Sequence, residues 1–175
     1  MPIHIAALEI LIDPTCSLLF ESLEPDENLM HRPPRPPDGS LFGAQDYLQS
    51  ILLGSIIFFL VAYSFAKEIQ INSGADHARA HAFLLLSACN AGLVFANLSG
   101  GELKKMIHIL SQKERQLLVW VVFFLNILFV LHPTLRAVFH FSPLYKMDFG
   151  SILLSFTCFF ILSFILNFLF VKRPS

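Results

Sequence analysis

A long uncharged segment in the carboxyl-terminal part of the chain sets the first limit on its fold. The segment reads FGSILLSFTCFFILSFILNFLFV and covers residues 149 to 171. A helix needs about 20 consecutive apolar residues to cross the hydrocarbon core of a bilayer. Because lipid offers no hydrogen bonds to the backbone, a segment of this kind must form a helix that satisfies its own backbone groups. The segment therefore predicts a transmembrane helix.

Four other apolar stretches are separated from it by polar residues, at 1–20, 47–66, 82–98 and 117–132. The composition of the 175 residues agrees with a membrane protein, since 55% are hydrophobic, only 14% are charged and nineteen are phenylalanine. We predict one all-α domain over residues 1–175, a bundle of about five transmembrane helices with a loop at 21–46.

The loops predict an orientation. If the five stretches cross the membrane in turn, one side carries eight of the twelve Lys and Arg residues: Arg32, Arg35, Lys104, Lys105, Lys113, Arg115, Lys172 and Arg173. The other four are Lys67, Arg79, Arg136 and Lys146. The positive-inside rule places the richer side in the cytoplasm. This predicts a multi-pass protein of the plasma or inner membrane with a cytoplasmic carboxyl terminus.

Charge and cysteine content exclude two classes of function. The formal net charge is −1 and no run of Lys and Arg is long enough to follow phosphates, so nucleic acid is not an expected partner. Cys16, Cys89 and Cys158 fall singly in separate apolar stretches. Without paired spacing they are expected to be small core residues rather than ligands of a soft metal.

The stretch LEILIDPTCSLLFE, residues 8 to 21, places two carboxylates inside the first apolar segment. Glu9 and Asp13 are four residues apart and share one face of a helix. Pro14 has no N–H to donate and its ring clashes with the carbonyl of Ile10, which predicts local unwinding over residues 10 to 14. Two carboxylates beside a freed carbonyl would form an oxygen-rich site for a cation. The alternative is a kinked helix whose carboxylates are protonated or hydrogen-bonded.

A second pair of interest is His77 and His81, in the sequence DHARAH. Their i, i+4 spacing is that of two metal ligands on one helix. With no third ligand nearby in the sequence, we interpret them as interfacial polar residues.

The residues PIHIAALEILIDPTCSLLFE, followed by PDENLMHRPPRPPDGSLFG, resemble the sixth transmembrane helix and next cytoplasmic loop of P-type cation-transporting ATPases. The likeness is to the calcium-pump-like branch, especially its bacterial members. It implies that the other four spans are the last four helices of that family. It also implies that Glu9 and Asp13 are cation ligands, that Asn90 lies where the eighth helix contributes polar groups, and that Ser87 replaces an acidic ligand of that helix. We take the Ile10 carbonyl freed by Pro14 as a third ligand, with Asn90, Ser87 and Asn126 as weaker candidates.

The chain lacks the DKTGT phosphorylation motif and any nucleotide-binding or actuator domain of that family. The resemblance therefore implies a truncated or split pump that cannot hydrolyse ATP alone and needs the N-terminal part of a P-type ATPase as partner. No cofactor is expected, and the transported cation could be Ca²⁺, Mg²⁺, Mn²⁺ or a proton. The alternatives are a free-standing small membrane protein, such as an accessory subunit or oligomeric channel, and a non-functional remnant.

Overall fold

The computed structural model describes residues 2–21, 43–72 and 74–170. Within these residues it contains helices and no strands. The helices are α1 (Pro2–Glu21), α2 (Ala44–Asn72), α3 (Ala75–Ser99), α4 (Leu103–Ser111), α5 (Lys113–Leu131), α6 (Pro133–Val138) and α7 (Lys146–Phe170). The predicted all-α bundle is confirmed. The loop at 21–46, apart from its two ends, lies outside the described residues.

Within the part of the chain that the structure describes, the helices long and apolar enough to cross a membrane are α2, α3 and α7. Helix α5 contains a shorter apolar segment at Val119–Leu131. Each of the five predicted stretches overlaps one of the helices α1, α2, α3, α5 or α7. That all five cross the bilayer stays a prediction.

Helix α3 is the centre of the bundle. In its apolar window 44% of the residues are buried, compared with 17% in α2 and 22% in α7. It packs against α1, α2, α4, α5 and α7, and buries Leu85 and Cys89 completely. The outer helices turn large side chains such as Phe58 and Leu154 outward, where a membrane would cover them.

The cysteines confirm the core prediction in part. Cys89 is fully buried on α3, whereas Cys158 is exposed on α7. The prediction of a core position for Cys158 is wrong because α7 lies at the edge of the bundle and keeps one apolar face free for lipid.

Two glycines allow close contacts on α7. Gly101 follows α3 with a φ of 73°, a conformation that residues with a side chain rarely adopt, and it lies against the backbone of Phe168. Gly92 lies within α3, where an added Cβ would come 2.8 Å from the ring of Phe156. Both positions bring α7 close to the α3 side of the bundle.

Helix α1 is continuous from Pro2 to Glu21, so the predicted unwinding over residues 10 to 14 is wrong. A proline removes one backbone hydrogen bond, and a bend in the helix can absorb its ring without unwinding a turn. The helix is held at its start by His4, whose Nε2 lies 2.8 Å from the carbonyl oxygen of Phe139.

Candidate functional site

The two carboxylates of α1 lie on the outer surface of the described bundle. Glu9 and Asp13 are both exposed, and Ile10 between them is 71% exposed. Ala7, two residues before Glu9, is 4% exposed and belongs to the core. The face that carries the carboxylates therefore has no cover from the helices described here.

A cavity of about 590 Å³ lies beside α1, enclosed mainly by α3, α5 and α7. Three of the predicted site residues, Ser87, Asn90 and Asn126, line it together although they come from two helices. Ser87 is 2% exposed, and its Oγ has no hydrogen-bond partner in the described part of the chain. The remaining lining is almost wholly apolar. The structure thus brings the three neutral polar candidates to one place.

Glu9, Asp13 and Ile10 are not among the residues that line this cavity. Helix α1 contributes Ile12 and Cys16 to its wall instead. Seen along the axis of α1, successive side chains are rotated by about 100°. Glu9 and Asp13 therefore point at most about 80° away from the direction midway between Ile12 and Cys16. The carboxylates therefore lie at the edge of the cavity face of α1, on its exposed side.

A second polar group joins α2, α3 and α7. Glu68, His77 and Asp148 are each buried, with exposed fractions of 6%, 5% and 8%. His77 Nδ1 lies 3.4 Å from Glu68 Oε2, and His77 Nε2 lies 3.0 Å from Asp148 Oδ2. One ligand atom from each residue lies within 4.8 Å of the others. We call these three residues the acidic-histidine cluster.

His81 lies one helical turn further along α3 and is 1% exposed. Its ring nitrogens lie 3.0 Å from Ser64 Oγ and 2.8 Å from Ser151 Oγ. Ser151 donates its proton to the backbone carbonyl of Asp148, so it accepts from His81 Nε2–H, and Nδ1 of a neutral ring accepts from Ser64. The hydrogen-bond network thus continues from the acidic-histidine cluster into the bundle.

His77 and His81 are both buried, and the structure places two carboxylates beside His77 that are not its neighbours in the sequence. The position of the two histidines at a membrane interface stays a prediction. Sequence reasoning missed the cluster because Asp148 is 71 residues from His77 and belongs to another helix. A signal was present: the predicted topology places Glu68, His77 and Asp148 on the same side of the membrane, each at the end of an apolar segment.

Comparison with known protein families gives a match over most of the chain. The family model described as "Cation transporting ATPase, C-terminus" matches residues 1–169. A search of curated proteins found no match. The family match covers α1 to α6 and all of α7 except Phe170.

Proposed function

Because this chain belongs to the cation-transporting ATPase C-terminus family, we propose that α1 supplies Glu9 and Asp13 to the ion site of such a pump. The family is a membrane part of P-type ATPases and does not include their catalytic domains. The finer proposal is that the pump belongs to the calcium-pump-like branch of bacterial type and carries Ca²⁺, Mg²⁺, Mn²⁺ or protons.

The observation that carries this proposal is the exposure of both carboxylates in the middle of an apolar helix. Ionised side chains facing hydrocarbon are costly, so residues of this kind face other protein or a water-filled cavity. No described helix covers them. Helices from the rest of the ATPase, on this or another polypeptide, would cover that face and complete the site.

The backbone adds a third oxygen. Pro14 has no N–H, so the carbonyl of Ile10 cannot receive its usual helical hydrogen bond even though α1 stays helical. Hard cations bind carboxylate and carbonyl oxygens together. Ser87, Asn90 and Asn126, in the adjacent cavity, offer further oxygens that an ion or its water could reach.

Hydrolysis of ATP would be carried out by the catalytic domains of the ATPase, on this or another polypeptide, because the matched family region does not contain them. Energy would be coupled from those domains to α1. We further propose that the pump lies in the plasma or inner membrane. The distribution of Lys and Arg predicts that its carboxyl terminus lies in the cytoplasm.

The test is ion-stimulated ATP hydrolysis. The chain is co-expressed with the N-terminal part of a P-type ATPase, and activity is measured against the concentration of each candidate cation. Asp13→Asn and Glu9→Gln are expected to raise the cation concentration for half-maximal activity at least tenfold, or to abolish stimulation. Each substitution removes a charge and keeps the shape of the side chain.

The matched control is Glu21→Gln, because Glu21 is an exposed carboxylate at the end of the same helix. It is expected to leave the activity curve unchanged. Stimulation that is the same in Asp13→Asn, Glu9→Gln and the control would contradict the proposal and leave α1 as a kinked helix with incidental acids.

A further inference from the structure

We propose that the acidic-histidine cluster, Glu68, His77 and Asp148, is a binding site for a divalent transition-metal ion. This site lies on α2, α3 and α7 and shares no residue with the proposed ion site on α1. Each of its three residues lies on a different helix, so a bound ion would link the ends of those helices. The proposal does not depend on the proposed function.

The ligand atoms are close enough to be brought around one ion. Zinc binds imidazole nitrogen and carboxylate oxygen at about 2.0–2.2 Å, which places two ligands of a tetrahedral ion about 3.4 Å apart. Glu68 and Asp148 contact opposite nitrogens of the His77 ring, at 3.4 Å from Nδ1 and 3.0 Å from Nε2, and one ion can bind only one of these nitrogens. One carboxylate must therefore leave the ring and turn to the ion, a movement kept small because one ligand atom from each residue already lies within 4.8 Å of the others.

The chemistry of the cluster also suits an ion. Two carboxyl groups and one imidazole lie together at residues that are each at most 8% exposed. Buried charge is costly unless it is balanced, and a divalent cation balances two carboxylates.

The backbone holds Asp148 in position. The N–H of Tyr145 donates a hydrogen bond to Asp148 Oδ2, which is the same oxygen that lies 3.0 Å from His77 Nε2.

The position of the cluster gives an ion access from water. His77 is the third residue of α3, Asp148 is the third residue of α7, and Glu68 is in the last turns of α2. All three are therefore at one end of the bundle, where water molecules can complete the coordination. Imidazole favours Zn²⁺ and its neighbours over Ca²⁺ and Mg²⁺, which take oxygen ligands.

The test is metal binding by the purified full chain in lipid nanodiscs. We expect one Zn²⁺ per chain by calorimetry, a visible absorption spectrum with Co²⁺ as the probe, and no displacement of either metal by an equal concentration of Ca²⁺. Zn²⁺ is also expected to raise the melting temperature.

Glu68→Gln and His77→Gln are expected to lower Zn²⁺ affinity at least tenfold and to remove the melting shift. The matched controls, Glu102→Gln and His132→Gln, change exposed residues outside the cluster and should bind as the original chain does. Asp148→Asn provides a third variant, and if it does not fold the first two decide.

Three results would overturn the proposal. The original chain could fail to bind Zn²⁺, which would make the cluster an ion-paired triad only. Affinity could be unchanged in both Glu68→Gln and His77→Gln. Cobalt could show the sulfur charge-transfer bands of cysteine ligation, which would place the metal elsewhere.

Discussion

Replacing Gly101 with alanine tests the packing of the α3–α4 turn on α7. Gly101 has a φ of 73°, and a left-handed conformation costs a residue with a Cβ about 1–2 kcal/mol. The new Cβ would also come 2.6 Å from Cα and 2.8 Å from Cβ of Phe168, besides touching its backbone nitrogen. Overpacking of this kind costs about 1–3 kcal/mol. The two effects together predict a loss of about 2–5 kcal/mol.

The assay is unfolding by SDS in mixed micelles, with the folded fraction measured by resistance to protease. Proteins are stabilised by about 5–15 kcal/mol, so the expected loss should move the midpoint strongly. Gly54→Ala is the matched control, because a Cβ there meets nothing within 4 Å inside α2. It should gain about 0.5–1 kcal/mol from the better helix propensity of alanine. Equal midpoints for the two variants would refute the packing of Gly101 described here.

Three further substitutions can be measured in the same unfolding assay. Gly92→Val should cost about 1–3 kcal/mol, because its side chain meets the ring of Phe156, and an unchanged midpoint would contradict that contact. Ser64→Ala should cost about 1–3 kcal/mol, since it removes the hydrogen bond to Nδ1 of buried His81. Ser87→Ala should be neutral or stabilising, because its buried Oγ has no hydrogen-bond partner among the described residues, and a loss as large as that of Ser64→Ala would refute the distinction.

The sequence was sufficient to predict the helices that carry the fold. Apolar length and the cost of unbonded backbone in lipid determine where α2, α3 and α7 occur, and all three were located in advance. The clash of Pro14 with the carbonyl of Ile10 predicts unwinding, whereas α1 is continuous, because a helix can bend at a proline and remain helical. Local sequence patterns therefore predict where α1 lies in the chain, but they do not predict its internal geometry.

The polar sites also differ in how far local sequence patterns predict them. The spacing of Glu9 and Asp13 predicts a shared face, which depends only on helix geometry. The meeting of Glu68, His77 and Asp148 depends on how three helices pack, which no local pattern contains. Ser87, Asn90 and Asn126 are candidates by residue type, but their position around one cavity depends on how α3 and α5 pack.

Equilibrium binding of the transported cation to the assembled ATPase, without ATP, is the most direct test of the proposed role of α1. Bound ions per complex are counted for the original chain, Asp13→Asn and Glu21→Gln with Ca²⁺, Mg²⁺ and Mn²⁺ in turn. The loss of a charged ligand worth about 1.5–3 kcal/mol predicts that affinity falls by about 10- to 150-fold in Asp13→Asn. Glu21→Gln should bind as the original chain does. The same number of ions bound with the same affinity in Asp13→Asn would contradict a cation site on α1.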